Sequence, residues 1–187
     1  MPPFPSIETS RLRLRELAND DAPVLLSIRG NAHAMRYFGS DPLRELPEAQ
    51  KLIEKYASWR ALPNPGVGWG LEEKDTGCLI GVCGLFAWNR EWRKCATGYE
   101  LHVDAQGKGL MREALRAAYS WGFSEMGLNR IEAQVHPENT PSLRLIEAMG
   151  FRREGTLREI AYWGGVFHDL LQLSLLLRDW VPLELET

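Results

Sequence analysis

The chain is predicted to fold as one α/β (α+β) domain, a mixed, mostly antiparallel sheet that contains a parallel pair and is flanked by helices. Three observations carry this expectation. Strand-like runs at 69–72, 79–88 and 94–103 follow one another across Lys74-Asp75-Thr76-Gly77 and Asn89-Arg90-Glu91, which makes the middle of the chain an antiparallel meander. At Leu110 the apolar period changes to a helical one. Downstream, strand, helix, strand, helix and strand alternate, so at least one crossover and one parallel pairing are required.

Length and composition bound the rest. The 187 residues suit one domain, 1–187, long enough to bury about 70% of its unfolded surface. Lys+Arg 22 against Asp+Glu 25 gives a net charge of −3, which argues against a nucleic-acid groove as the main business of the protein. Residues 1–10 hold no basic region followed by an apolar core, and no apolar run approaches membrane-spanning length; the expectation is a soluble, cytoplasmic protein with no membrane partner. The three cysteines, Cys78, Cys83 and Cys95, lack metal-ligand spacing and read as buried free thiols. Seven tryptophans, among them Trp69, Trp88, Trp92 and Trp163, suit either a core or an aromatic-lined cleft.

In order along the chain, 7–17 alternates, with Leu12, Leu14 and Leu17 on one face and Arg11, Arg13 and Arg15 on the other, a half-buried strand. Asn19 and Asp20 cap a short helix over 22–28 with Pro23 in its first turn, continued in broken form through 35–38. After a turn at 39–42, Pro47 opens a helix to about Arg60, with Leu52, Ile53, Tyr56 and Trp59 at helical spacing. A Pro- and Gly-rich connection at 62–68 leads into the meander. The helix over 110–125 carries Leu110, Ala114, Ala117, Ala118 and Trp121 as its apolar stripe and ends near Gly127. A strand at 130–135 follows. Thr140 and Pro141 read as N-cap and N1 of a helix that runs to Met149 and stops at Gly150. Strands at 151–160 and 166–177 close the chain around Trp163-Gly164-Gly165.

The stretch VDAQGKGLMREALR, 103–116, holds the chemistry. Gly107 and Gly109 lie where the strand gives way to the helix, and small residues there let backbone N–H groups meet an anion at the positive helix end. The same residues also describe a plain tight turn with a glycine at a helix entrance. No Gly-Lys-Ser/Thr closes a Walker A loop and the third glycine of a dinucleotide fingerprint is missing, so another part of the chain must decide which phosphate ligand is held.

Three blocks supply that context: GYELHVDAQGKGLMREAL, NRIEAQVHPENTPSLRLIEAMGFRREG and HDLLQLSLL. In content, spacing and order the chain resembles the GNAT superfamily of acetyl-CoA-dependent N-acetyltransferases, in particular its RimJ/RimL-type branch of ribosomal-protein N-terminal acetyltransferases. TSRLRLREL and MRYFG extend the likeness over nearly the whole chain. The resemblance implies a GNAT-like sheet splayed at its central parallel pair, opening a slot for acetyl-CoA between 99–103 and 130–135. In it, backbone groups of Leu101 and Val103 would meet the pantetheine arm as an added strand does, with a bulge to explain the splay. It also implies that main-chain N–H groups from Gly107 through Lys108, Gly109 and Leu110 to Met111 hold the pyrophosphate of CoA, with Lys108 adding charge. Asp104 departs from the family's basic or amide residue at that position. Asn139, placed just before the N-cap, is free of the helix and holds the cofactor.

Acetyl transfer to an amine needs a neutral amine, a stabilised oxyanion and a proton for the departing thiolate. Glu100, in the strand beside the slot, is the candidate base, directly or through a water; the alternative is a structural carboxylate paired with an arginine. The main-chain N–H of Leu101 or His102 is the candidate oxyanion donor. The tyrosine that many GNAT enzymes carry seven residues beyond the asparagine is replaced by Ile146, which has no proton to give. Ser142, one turn back, matches the serine of the RimL-like branch and is the candidate acid. His102, His136 and His168 have neither zinc spacing nor a nucleophile beside them, so no metal is expected. The leading expectation is direct attack in a ternary complex by a primary amine, most readily a protein N-terminal α-amino group, in a monomer or homodimer. The alternatives are a small-molecule amine, amino acid or antibiotic as acceptor, a non-catalytic CoA-binding sensor, and a nucleotide-binding domain.

Overall fold

The fold is that of a computed structural model in which residues 3–181 are described, so both ends of the expected domain lie outside the described residues. Leu12 and Leu14 are fully buried and Arg13 is exposed, and this alternation makes Leu12–Arg15 a half-buried strand, β2. The single strand expected over 7–17 is broken: Ile7–Glu8 forms a separate β1, antiparallel to β2 with Ile7 opposite Leu14. Thr9 makes the break, because its N–H donates to the Leu12 carbonyl and its Oγ1 accepts from the Leu12 N–H, each at 2.9 Å.

The helices α1 (Ala22–Arg29), α2 (Ala32–Met35) and α3 (Leu46–Ser58) come next, before the meander β3 (Val67–Glu73), β4 (Cys78–Asn89) and β5 (Lys94–Leu101). Then follow α4 (Leu110–Glu125), β6 (Arg130–Val135), α5 (Thr140–Glu147), β7 (Arg152–Trp163) and β8 (Val166–Leu176). The eight strands form one sheet in the order β1-β2-β3-β4-β5-β6-β8-β7, antiparallel throughout except between β5 and β6. The closing hairpin is inverted relative to chain order. β8, with Leu173 and Leu175 fully buried, takes the interior place beside β6, and the exposed β7, which carries Arg152, Arg153, Arg158 and Glu159, forms the edge.

A buried cluster covers each face of the sheet. On one, α4 and α5 bury Leu115, Tyr119, Phe123, Leu143 and Ile146 against Leu85, Cys95, Ile131 and Leu173. Leu115, Tyr119 and Phe123 deepen the predicted stripe of α4, where Ala117 and Trp121 are only half-buried. Burying a side chain such as Leu115 stabilises by about 1.5–3 kcal/mol. On the other face, α1 and α3 bury Leu25, Ala49 and Ile53 against Leu17, Leu79 and Val82.

The parallel pairing is short. Lys94, Cys95 and Ala96 pair with Arg130, Ile131 and Glu132, and there it stops. β5 continues along β4 as far as Leu101 opposite Gly81, while Ala133 to Val135 stay on β8. The two strands part, leaving a gap in the sheet. The one register irregularity beside it lies in β4 between Phe86 and Asn89, where Ala87 takes φ +52°; the pairing of β5 from Ala96 to Leu101 runs without a break. β5 ends at Leu101, two residues short of the expectation, because Val103–Ala105 tightens into a 3-10 turn.

Candidate active site

A cavity of about 610 Å³ fills the gap between β5 and β6. It reaches through the sheet: Arg29 and Tyr56 line it from α1 and α3, and Asn139 and Ser142 line it from α5. Alternation along β5 assigns side chains to the two openings. Glu100 lies opposite Val82, on the α1/α3 face, and Tyr99 lies opposite Cys83, on the α4/α5 face.

Glu100 is 8% exposed. Its Oε2 lies 2.5 Å from Arg29 Nε, and Arg29 Nη2 donates to the Tyr56 hydroxyl at 2.8 Å while its guanidinium sits over the Phe38 ring. The contact with Arg29 is close but poorly aligned, and neither carboxylate oxygen has a well-directed hydrogen-bond donor among the described residues. Burial raises the Glu100 carboxyl above its ordinary value, and Arg29 opposes that rise. The group is thus both arginine-paired and a strengthened base facing a cavity.

On the other face, the Tyr99 hydroxyl and Ser142 Oγ are 2.7 Å apart. Burial pushes the Tyr99 phenol up to about 12, and the bond to Ser142 opposes this. Asn139 is not free of the helix as expected. It is the N-cap itself, its Oδ1 accepting from the Ser142 N–H at 3.3 Å, with Thr140 moved into the first turn; an Asx side chain satisfies an orphan N–H there more readily than a threonine one residue later. Asn139 still lines the cavity, and Ile146 is fully buried in the core.

At the glycine bend, Gly107 and Gly109 both take φ +76°, the left-handed region, and Gly109 is the N-cap of α4. Among the described residues no hydrogen bond occupies the main-chain N–H groups of Gly107, Lys108, Gly109, Leu110 or Met111; the first helical bond is from Glu113 N to Gly109 O, 3.1 Å. The bend is braced from behind. Glu113 accepts from Thr9 Oγ1 (2.6 Å), Ser10 Oγ (3.0 Å) and the Arg11 N–H (2.8 Å), and Arg11 Nη1 donates to the Lys108 carbonyl at 2.9 Å. The Lys108 side chain is exposed, and Asp104 projects into solvent, 87% exposed, so its carboxylate does not crowd the free N–H groups.

Two backbone expectations change. The His102 N–H donates to Ile80 O at 2.8 Å and is not open to an oxyanion, since the β4–β5 ladder uses it. Ladder alternation turns Leu101 the other way, toward β6, where its carbonyl already accepts from Gln106 Nε2 at 3.2 Å. Its N–H is the backbone donor that remains. Val103, 55% exposed, has left the strand and is not positioned to extend the ladder.

His136 and His168 form a separate aromatic stack: Tyr37 on His136 at 4.6 Å, His168 on Trp163 at 3.6 Å, the two imidazoles 3.4 Å apart at nearest nitrogens. Cys83 and Cys95 are buried thiols, as expected, but Cys78 is exposed. Among the described residues no group of three or more His, Cys, Asp or Glu is placed to hold a metal, and no helix is long and apolar enough to cross a membrane.

Arg29, Tyr56, Tyr99, Arg11 and Glu113 receive no functional role from sequence. Arg29 and Tyr56 carried no signal, because their helices meet Glu100 only in the fold. The bracing of the bend had one: a TSR segment and a first-turn glutamate are complementary in charge and hydrogen bonding.

The family described as "Acetyltransferase (GNAT) domain" matches residues 11–152. The uncharacterized N-acetyltransferase YoaA of Bacillus subtilis (strain 168) is 35% identical over 166 residues, 89% of this chain and 93% of its own. The ribosomal protein uS5-alanine N-acetyltransferase of Escherichia coli (strain K12) is 33% identical over 115 residues, 61% of this chain and 59% of its own. Among solved structures, spermidine N-acetyltransferase from Vibrio cholerae in complex with CoA and spermine superposes with a TM-score of 0.78 at 26% identity, over 91% of this chain and 98% of that one.

Proposed function

From the premise that this chain belongs to the GNAT acetyltransferases, enzymes that move an acetyl group from acetyl-CoA to an amine, we propose that its acceptor is a protein N-terminal α-amino group. The amine enters from the α1/α3 opening and attacks the thioester directly, in a ternary complex. Glu100 takes the ammonium proton, the Leu101 N–H faces the developing oxyanion, and Ser142 gives a proton to sulfur. The free N–H groups from Gly107 to Met111 hold the diphosphate at the head of α4, and Asn139 borders the cofactor arm.

The observation that carries the reading is the cavity through the splayed sheet, with a buried carboxylate on one face and a hydroxyl pair on the other. The choice of acceptor rests on charge. Both carboxylates lining the cavity are already paired, Glu100 with Arg29 and Glu132 with Lys94 and Arg130, and Lys55 adds a positive charge. A polyamine needs several unpaired carboxylates; a peptide N-terminus brings one ammonium and a neutral backbone, which suits aromatic walls such as Tyr37, Phe38 and Trp59. The similarity to a ribosomal-protein alanine acetyltransferase points the same way.

The test is an acceptor panel. Peptides with free and blocked N-termini, spermidine, spermine and amino acids are each incubated with acetyl-CoA, free thiol is followed and products are located by mass spectrometry. Acetylation of free α-amino groups alone is expected; turnover confined to polyamines or amino acids contradicts the acceptor, and no CoA binding contradicts the reading as a whole.

A further inference from the structure

We infer that Tyr99 completes a hydroxyl relay with Ser142, so that the proton reaching the CoA sulfur is replaced on Ser142 from the Tyr99 phenol. This rests on the function proposed above and assigns Tyr99, on β5, the place in proton delivery that Ile146 leaves empty. Ile146 is apolar and fully buried. Tyr99 stands across the cavity wall, its hydroxyl 2.7 Å from Ser142 Oγ and 3.5 Å from the Ser142 carbonyl. Both residues line the cavity, on the face opposite the Glu100 carboxylate, so a base and an acid meet the thioester from opposite sides of the sheet.

Relative acidity decides between a lone serine and the pair. An aliphatic hydroxyl is a far weaker acid than a phenol, whose ordinary value is about 10, and the thiol to be formed titrates near 8.5. A serine giving up its proton unaided would leave an alkoxide. With Tyr99 behind it the charge ends on a phenolate, and even with burial lifting Tyr99 to about 12 the gap to the thiol is the smaller one. The balance closes as follows: the C–S bond breaks with its electron pair going to sulfur, sulfur takes the Ser142 proton, and Ser142 takes the Tyr99 proton. The phenolate then regains a proton from solvent, matching the one lost by the nitrogen of the tetrahedral adduct. Tyr99 acts through Ser142 and is in that sense a positioning residue.

Two readouts test this. The first uses CoA alone: the ultraviolet absorbance of the thiolate of bound CoA is titrated in wild type, Tyr99→Phe and Ser142→Ala. Hydroxyl donors stabilise the thiolate, so the thiol of bound CoA titrates lower in wild type than in either variant. The second uses whichever acceptor the wild type acetylates. Tyr99→Phe lowers kcat on the order of a hundredfold with acetyl-CoA affinity unchanged, and adds nothing when Ser142 is already alanine. Difluorotyrosine at position 99 keeps the shape, makes the phenol more acidic and moves the basic limb of the kcat profile to lower pH. It carries the test if the phenylalanine variant fails to fold. CoA binding with an unshifted thiol titration and wild-type kcat in Tyr99→Phe overturns the relay alone; failure of wild type to bind CoA overturns the relay and the function together.

Discussion

Glu100 Oε2 and Arg29 Nε stand 2.5 Å apart in the gap that opens beyond the β5–β6 pairing, both side chains almost wholly withdrawn from solvent. Arg29 keeps a buried carboxylate tolerable, and burial in turn raises that carboxyl, so the structural ion pair and the proposed general base are the same group. Glu100→Gln is therefore expected to lower kcat by about 10²–10⁴ with acetyl-CoA binding retained. Because it leaves Arg29 buried opposite a neutral partner, it also lowers stability, by up to about 3–5 kcal/mol, read by denaturant unfolding.

The pH dependence of the wild type follows in sign. A base must be unprotonated to act, and this one titrates above the ordinary carboxylate value of 4.5. The kcat/KM profile is expected to fall on the acid side at a pH above that value, and Glu100→Gln to lack that limb.

Glu113 holds the glycine bend through Thr9, Ser10 and Arg11. Burial pushes its carboxyl up, but these bonds outweigh it and hold the group below the usual range. Glu113→Ala removes all of them and leaves Arg11 only its bond to the Lys108 carbonyl, with a loss of about 1–3 kcal/mol of stability. The KM for acetyl-CoA is expected to rise several-fold with kcat little changed, as for a residue that shapes binding and not chemistry.

Gly109 caps α4 at φ +76°, and a Cβ there would meet only Arg11 Nη2, at 3.7 Å. Space is available; the backbone conformation is the obstacle. Gly109→Ala is expected to lose about 1–2 kcal/mol, seen in thermal unfolding, and to weaken CoA binding in calorimetry because the free N–H groups turn away.

A further contribution to acid stability comes from the outer hairpin. Arg130 and Ser174 hold the Glu154 carboxyl down, from 4.5 to about 2. A depressed carboxyl stabilises the fold above its unfolded value and loses that contribution as pH falls through the folded one. Unfolding measured from pH 4.5 to 2 is expected to steepen in wild type relative to Glu154→Gln.

Much of this was legible in the chain. The alternation at Leu12 and Leu14, the helical period from Leu110 to Glu125 and the strand at Arg130–Val135 are local patterns, and the fold keeps them. Gly107 and Gly109 announced their positive φ by being glycines in a bend. What was not legible depends on distant partners. The end of β5 at Leu101 is set by the 3-10 turn over Val103–Ala105, which closes just after the last ladder bond, from the His102 N–H to the distant Ile80 carbonyl. The place of β8 between β6 and β7 is set by which strand is more apolar on both faces, and the pairing of Glu100 with Arg29 by how α1 crosses the sheet. The cap at Asn139 is not legible because a capping side chain and a ligand-facing one are the same residue type in the same turn.

The most direct measurement is a structure of the protein crystallised with CoA. The diphosphate is expected on the N–H groups of Gly107 to Met111, and the sulfur in the gap between β5 and β6, with Glu100 on one side of it and Ser142 on the other. A bend without phosphate, or a sulfur outside the gap with Glu100 turned from it, would contradict the proposed site.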